Sequence, residues 1–287
     1  MAGHPAMFFE ETGGGDVLCA LCPQSCALKA GQTGLCLARA NDAGRLVSLN
    51  YGRVSALALD PIEKKPLRRF FPGSMILSAG SFGCNFKCRF CQNWSISQQE
   101  PPLRELTAQQ LARLARETVP DGNIGLAFTY NEPLVWFEFV YDCARLNREQ
   151  GLRNVLVTNG YVNPGPMAEL LPYIDAMNID LKAFSPGFYR SVCSGRLEPV
   201  METIAQCAAA CHVEVTTLLI PGLNDSAQEV AALAKWLAGI SPELPLHLTR
   251  YHPDYRMTAP PQPGREQIFE LAGLARQSLR YVYCGNC

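Results

Sequence analysis

The feature that most constrains the fold of this chain is a regular alternation of two patterns after residue 73. Seven apolar, strand-like runs lie at 75–79, 124–129, 154–158, 176–181, 213–220, 245–249 and 280–283. Helical patterns lie between most of them, the first capped by Thr107 and the others near 134–149, 165–172, 198–210, 226–238 and 266–278. Strands that alternate with helices predict parallel strands joined by crossover helices.

The number of units narrows the choice among α/β architectures. Six or seven βα units in about 210 residues favour an incomplete (β/α)6-type barrel, similar to a TIM barrel, because a complete one typically needs about 250. A doubly wound sheet is the alternative. We expect this barrel in residues 73–287. Residues 1–72 are expected to form a small cysteine-rich, metal-binding segment, with a short hairpin of 45–50 and 53–59 and a connector that ends near Gly73.

Polar residues follow six of the predicted strands, at the ends where barrel enzymes carry their chemistry. The candidates are Glu132 in "TYNEP", Thr158 and Asn159 in "TNGY", Asp180 and Lys182 in "DLK", and Arg250, Tyr251 and His252 in "TRYHP". Asp180 and Lys182 lie two apart on a strand and share one face, so both can point inwards. A structural ion pair is the alternative for these two. The last three residues are candidates for substrate contact.

Three cysteines, Cys84, Cys88 and Cys91, follow the first of these strands. No fourth cysteine lies nearby, and their spacing differs from that of four-cysteine ferredoxin motifs. Three thiolates would leave one iron of a [4Fe-4S] cluster open to a small molecule. A zinc knuckle completed by a distant residue is the alternative.

A second group of cysteines lies near the N-terminus, at Cys19, Cys22, Cys26 and Cys36. Four thiolates form a closed set, typical of structural zinc or of a fully ligated second [4Fe-4S] cluster. The spacing does not decide between the two. Cys284 and Cys287 could add ligands, form a redox pair or have no role.

Composition restricts the class of protein. The net charge of −1 on 287 residues gives no support for nucleic acid or an anionic membrane as a partner. No apolar run approaches the length of about 20 residues that spans a membrane, and the N-terminus lacks the pattern of a secretory signal. Thirteen cysteines in such a chain are better explained by metal ligation in a reducing compartment than by disulfides. We therefore expect a cytoplasmic protein.

The cysteine motif C-x3-C-x-Φ-C, with Phe90 as its aromatic residue, resembles that of the radical SAM superfamily. Longer stretches, such as "GCNFKCRFCQNW", "FTYNEP", "NIDLKAF" and "VEVTTLLIPGLND", look like the radical SAM component of the AmmeMemoRadiSam system. That group is related to pyruvate formate-lyase activating enzymes. The resemblance covers nearly the whole chain.

The resemblance implies a radical SAM fold and a chemistry. The three cysteines would hold a [4Fe-4S] cluster that, once reduced, cleaves S-adenosylmethionine (SAM) to a 5′-deoxyadenosyl radical, and this radical would take hydrogen from a substrate. Glu132 would hold the SAM amino group, and Thr158, Asn159, Asp180 and Lys182 would contact its ribose and carboxylate side. The family motif has two glycines before this glutamate, where Tyr130 and Asn131 stand here.

Three functions remain open at this point. The first is activation of a glycyl radical enzyme, the second is radical modification of a small molecule or of a partner's side chain in a Memo-associated pathway, and the third is a non-catalytic iron–sulfur or zinc scaffold. The partners implied are a reductant such as flavodoxin or ferredoxin, a glycyl radical enzyme, and a Memo-like or AMMECR-like protein.

Overall fold

The computed structural model describes residues 3–287, so the first two residues of the predicted N-terminal segment lie outside it. The strands are β1 (His4–Pro5), β2 (Phe9–Gly13), β3 (Asp16–Cys19), β4 (Ala27–Leu28), β5 (Arg39–Asp42), β6 (Arg45–Ser48), β7 (Arg53–Val54), β8 (Ala56–Pro61), β9 (Met75–Gly80), β10 (Arg104–Glu105), β11 (Asn123–Phe128), β12 (Arg153–Thr158), β13 (Ala176–Asp180), β14 (His212–Leu219), β15 (Leu246–Arg250) and β16 (Val282–Gly285).

The α-helices are α1 (Trp94–Ser97), α2 (Ala108–Glu117), α3 (Phe137–Glu149), α4 (Pro164–Leu170), α5 (Pro186–Phe188), α6 (Leu197–Ala208), α7 (Ala227–Ile240) and α8 (Arg265–Ala275). Short 3₁₀ turns lie at Ile62–Lys64, Val119–Asp121, Pro133–Trp136 and Leu171–Tyr173, and a π-helical turn at Tyr189–Cys193. Thr107 caps α2 as predicted, because its hydroxyl accepts from the Gln110 N–H while the Gln110 side chain accepts from the Thr107 N–H. No helix in residues 3–287 is long and apolar enough to cross a membrane.

The central sheet has eight strands in the order β16-β15-β14-β13-β12-β11-β9-β8. All seven predicted strand runs appear in it as neighbouring parallel strands, and β8 adds to its edge antiparallel to β9. The order runs in one direction without reversal. The doubly wound alternative requires a reversal and is therefore wrong. The mostly parallel α/β sheet is confirmed, whereas its closure into an incomplete barrel stays a prediction.

Two different layers cover the two faces of this sheet. Residues of one parity, such as Leu77, Phe128 and Leu156, belong to the large core beneath the helices. Their neighbours of opposite parity, such as Ile76 and Val155, belong to a separate small core. The segment of residues 60–74, here called the connector, supplies the other half of that small core through side chains that include Ile62 and Leu67.

A buried carboxylate anchors the connector to the sheet. Glu214, on β14, is fully buried and accepts hydrogen bonds from the backbone N–H groups of Arg68, at 3.0 Å, and Arg69, at 2.7 Å. The imidazole nitrogens of His212 and His247 lie 3.0 and 2.6 Å from its two oxygens. The connector thus covers the part of this face nearest the amino ends of the strands and leaves the other part open.

The predicted hairpin of 45–50 with 53–59 is wrong. β6 pairs instead with β5, through a two-residue turn in which Ala43 and Gly44 both have positive φ, at 50° and 91°. Such values are those of the tight turns that match the twist of a hairpin. β7 pairs with β10, and β8 joins the central sheet. The first predicted segment therefore contributes a strand to the sheet, and the division at residue 72 stays a prediction.

Glu214→Gln should lower the free energy of unfolding by about 3 kcal/mol, measured in urea at pH 7. One carboxylate oxygen becomes an NH2 group, which cannot accept a hydrogen bond from a buried backbone N–H. Glu243 is the matched control, because its ion pair with Arg280 is exposed. Glu243→Gln should change the free energy by less than about 0.5 kcal/mol. Equal losses in the two variants would contradict the anchoring role.

The same anchor has a defined pH dependence. Burial alone would raise the pKa of Glu214, but hydrogen bonds from His212, His247 and the connector backbone outweigh it and hold the pKa at about 2, against an ordinary 4.5. The stabilisation should therefore be complete above pH 4.5 and be lost as the pH falls towards 2. In Glu214→Gln this part of the acid unfolding profile should be missing.

Candidate functional site

The open part of the second sheet face is a cavity of about 440 Å³. Strand ends and the cysteine loop of residues 81–93 form its walls, and connector residues 64–66 form its floor. It brings together all three cysteines of the loop and all five predicted cofactor-binding residues, namely Cys84, Cys88, Cys91, Glu132, Thr158, Asn159, Asp180 and Lys182. Residues far apart in sequence thus meet where the alternating pattern places the carboxyl ends of the strands.

The cysteine loop is held in place by Asn159. Its amide Nδ2 donates to Asn85 Oδ1 at 2.9 Å and lies 3.6 Å from Cys84 Sγ. Cys88 is buried, whereas Cys84 and Cys91 are half-buried towards the cavity. Asn159 therefore supports one of the cysteines as well as lining the cavity.

Glu132 is the central carboxylate of the cavity wall. It is almost fully buried and accepts hydrogen bonds from Thr158 Oγ1 at 2.6 Å, Asn159 N at 2.8 Å and Leu134 N at 3.0 Å. The last of these caps the turn Pro133–Trp136, so Glu132 is both a cap and a wall residue. Burial raises its pKa to about 7 in spite of these hydrogen bonds. The proximity of Thr158 shows that this residue orients Glu132.

Asp180 and Lys182 form an ion pair on the cavity wall. The pair is not sealed in the core, since the two side chains are 30% and 18% exposed. Burial lowers the pKa of Lys182, but the Asp180 carboxylate and the nearby thiols outweigh it, so the net pKa is raised and the ammonium is retained. The amide of Asn224 holds the Lys182 carbonyl at 2.7 Å. The two side chains thus form an ion pair and line the cavity, and their contact with a cofactor stays a prediction.

Tyr130 is a wall residue that no sequence pattern singled out as functional. Its backbone has φ of +73°, a left-handed conformation, and its carbonyl accepts from Asn93 Nδ2 at 2.7 Å. Its hydroxyl donates to Asp60 Oδ2 at 2.7 Å. The ring lies so close to Gly80 that a Cβ there would be 2.9 Å from it. The one sign of this conformation in the sequence is that Tyr130 stands where the family motif has a glycine, which adopts a positive φ freely.

The predicted substrate contacts at Arg250, Tyr251 and His252 lie outside the lining of this cavity. Tyr251 is fully buried, and its hydroxyl donates to the Met257 carbonyl at 2.6 Å, so its role here is structural and the predicted contact is not supported. Arg250 donates to the Pro263 carbonyl, and His252 is exposed. From this strand Thr249 lines the cavity instead, because strand alternation turns it to that face.

The four N-terminal cysteines converge on a second, much smaller cavity of about 10 Å³. They are Cys19, Cys22, Cys26 and Cys36. Its lining also includes Arg39, whose guanidinium lies 4.0 Å from Cys19 Sγ, and Asn85 of the cysteine loop. Cys284 and Cys287, near the end of the chain, belong to neither lining.

The chain segments that line the two cavities are in direct contact. The backbone N–H of Cys84 donates to the Cys36 carbonyl at 3.1 Å, and Gln24 Nε2 donates to the Asn85 carbonyl at 2.9 Å. Gly83 has φ of +90°, and a Cβ there would lie 2.4 Å from the Cys36 carbonyl oxygen. Only glycine permits this approach.

No group of three or more His, Cys, Asp or Glu side chains in residues 3–287 is arranged closely enough to hold a metal ion. What the structure establishes is the grouping of three thiols in one cavity and four in the other.

Residues 80–237 match the Radical SAM superfamily, and the chain belongs to it. Members of this superfamily are enzymes, and membership implies a [4Fe-4S] cluster and SAM as cofactors, together with a reductant. The hypothesis of a non-catalytic scaffold is therefore set aside.

The chain is similar to two proteins in sequence and to a solved structure in fold. It is 42% identical to the uncharacterized protein MJ0808 of Methanocaldococcus jannaschii over 98% of its own length and 84% of that protein. The pyruvate formate-lyase-activating enzyme of Clostridium pasteurianum is 26% identical over 59% of this chain and 72% of that enzyme. Streptococcus suis SuiB bound to S-adenosylmethionine shares the fold alone, with a TM-score of 0.59 and 12% identity over 72% of this chain and 49% of SuiB.

These likenesses confirm a relation to pyruvate formate-lyase activating enzymes. The assignment to the AmmeMemoRadiSam system stays a prediction.

Gly83→Ala should lower the free energy of unfolding by about 2 kcal/mol more than Gly73→Ala. Both glycines have positive φ, at +90° and +83°, but a Cβ at Gly73 meets nothing within 4 Å. The difference therefore isolates the contact with Cys36. Urea denaturation measures it, and faster proteolysis of the N-terminal segment in Gly83→Ala alone should accompany it. Equal losses in the two variants would show that the two cysteine segments do not depend on this contact.

Proposed function

We propose that this protein reductively cleaves SAM and abstracts hydrogen from a substrate bound in the 440 Å³ cavity. Cys84, Cys88 and Cys91 would ligate the [4Fe-4S] cluster. The observation that carries the proposal is that these three thiols share one cavity with Glu132 and the Asp180–Lys182 pair. Three thiolates leave an open iron site, and opposite charges suited to an amino acid moiety lie beside it.

The charged residues of the cavity fit SAM as a ligand. The Glu132 carboxylate can accept from the SAM ammonium, and Lys182 can pair with its carboxylate. Thr158 and Asn159 would act partly through Glu132, which they hold in position. When bound and reduced, a cluster held by Cys84, Cys88 and Cys91 would supply the one electron needed to cleave SAM to methionine and a 5′-deoxyadenosyl radical, and hydrogen transfer from the substrate would then give 5′-deoxyadenosine. The burial of this wall limits access of water to such a radical.

Two substrates remain candidates. The relation to the pyruvate formate-lyase-activating enzyme supports hydrogen abstraction from a glycine of a partner protein. The cationic floor of the cavity instead supports radical modification of a small molecule, which the resemblance would place, with partner side chains, in a Memo-associated pathway. The electron donor would be a flavodoxin-type or ferredoxin-type protein, and a Memo-like or AMMECR-like protein is a further proposed partner.

Iron-loaded protein reduced with dithionite should produce 5′-deoxyadenosine from SAM, detected by chromatography and mass spectrometry. The Cys84→Ala/Cys88→Ala/Cys91→Ala variant should produce none, because the cluster that supplies the electron has lost its ligands. Cys211→Ala, a half-buried cysteine outside both cavities, is the control and should retain activity. Fully loaded, reduced wild-type protein that leaves SAM intact would overturn the proposed function.

We further propose that the four N-terminal cysteines hold one structural Zn²⁺ ion. Four thiols that line one cavity form a closed ligand set, which suits a single tetrahedral Zn²⁺ ion. The surrounding strands are short, with two to five residues in β1 to β6, so a metal would contribute to folding of the segment.

The triple alanine variant should therefore retain about one zinc and no iron per chain, measured by elemental analysis after anaerobic purification. Adding Cys22→Ser and Cys36→Ser should remove this zinc. About four residual irons would identify a second cluster in its place. Neither metal would end the hypothesis of a second metal site.

A further inference from the structure

The floor of the cavity carries a buried cation that the proposed SAM site does not use. Lys65 comes from the connector, lines the cavity and is only 2% exposed. Its ammonium donates to Asp60 Oδ2 at 2.9 Å and lies 4.8 Å from the centre of the Tyr130 ring. Within residues 3–287 the ammonium has no other hydrogen-bond acceptor. An ammonium has three donors, so two of them are left without a partner.

The charge around Lys65 is only partly balanced. The single carboxylate of Asp60 accepts from Lys65, from Tyr130 Oη and, at 3.4 Å, from Lys64. Lys64 is largely exposed to water, so Lys65 is the buried cation of this group, and it shares its one carboxylate with two other donors. Burial lowers the pKa of Lys65 even though Asp60 opposes this effect, which is the behaviour of a buried cation that lacks partners. A further anion beside Lys65 would complete the balance.

A second unpartnered polar group lies on the same lining. Thr216, on β14, is 8% exposed, and its hydroxyl has no hydrogen-bond partner within residues 3–287. Buried hydroxyl groups are normally hydrogen-bonded, because burial without a partner costs free energy. A polar group of a ligand in this cavity could supply the missing partner of the Thr216 hydroxyl.

The floor and the cysteine loop lie at the two ends of one tyrosine. The Tyr130 carbonyl contacts Asn93 of the loop, and its hydroxyl contacts Asp60 beside Lys65. A small molecule held at the floor would therefore extend along this ring towards the proposed SAM site. The cavity volume is within the range of about 300–1,000 Å³ usual for small-molecule sites.

We propose that Lys65, assisted by Thr216, binds a carboxylate or phosphate group of a small-molecule substrate of this enzyme. The anionic group anchors one end of the substrate, so that a C–H bond further along faces SAM. The inference rests on the proposed function and specifies its substrate class. It favours a small anionic molecule over a glycine of a partner protein, because a peptide glycine has no charge to satisfy Lys65.

The test uses iron-loaded holoenzyme with SAM and dithionite. Deuterated cell extract, from cells that express the protein natively, is separated into protein, cationic, neutral and anionic small-molecule fractions. The measurement is the deuterated share, which is the fraction of the 5′-deoxyadenosine that carries deuterium. Because it is a ratio within one reaction, it does not depend on how much SAM is cleaved. We expect deuterium from the anionic fraction, and phosphatase treatment of that fraction distinguishes a phosphate from a carboxylate.

Lys65→Met should lower the deuterated share by about tenfold or more, because the anionic group loses its partner. Lys65→Arg, which keeps the charge, should restore part of it, and this rescue separates binding from a general loss of folding. Lys235→Met, an exposed lysine on α7, is the matched control and should match wild type.

Different results would overturn SAM cleavage by this protein and its use of an anionic substrate. Wild-type protein that forms no 5′-deoxyadenosine would overturn the proposed function itself. Deuterium from the neutral, cationic or protein fractions, or from no fraction while SAM is cleaved, would overturn only the anionic substrate. A Lys65→Met variant that cleaves SAM more slowly but keeps the wild-type deuterated share would also overturn it, since Lys65 would then serve SAM.

Discussion

The buried hydrogen bonds between Glu214 and the connector are the interaction on which the site depends. A parallel sheet must have both faces covered, and crossover helices cover only one here. The connector covers the amino-terminal part of the other face, held by a carboxylate that accepts from two backbone N–H groups and two histidines. Because the cover stops partway, the rest of that face becomes a cavity with a floor.

The cavity is assembled by residues that position one another. Thr158 and the Asn159 backbone hold Glu132, the Asn159 side chain holds the cysteine loop, and Asn224 holds the backbone at Lys182. The N-terminal segment then docks on the same loop through the Cys36 carbonyl. Substitutions in the N-terminal segment should therefore affect the cysteine loop, because the two are in direct contact.

Local patterns were sufficient where local physics decides the outcome. The seven strands, the Thr107 cap and the shared face of Asp180 and Lys182 follow from period, capping chemistry and strand alternation. The predicted hairpin is wrong because strand partners are chosen over long distances: β6 pairs with β1 and β5, and β8 pairs with β9 along six residues. The burial of Tyr251 does not follow from local pattern, because a tyrosine at a strand end gives no sign of which groups pack against it.

By itself the sequence determined the class of fold, the superfamily and the two sets of cysteines, because these depend on residue type and on spacing along the chain. The tertiary structure alone decided what surrounds them. The conformation of Tyr130, the contact of Cys36 with Cys84, and the position of Lys65 beneath the cavity all require segments that are distant in sequence to pack together. Burial turns Lys65, one of several charges in a basic connector, into a cation that lacks partners, and no local pattern specifies burial.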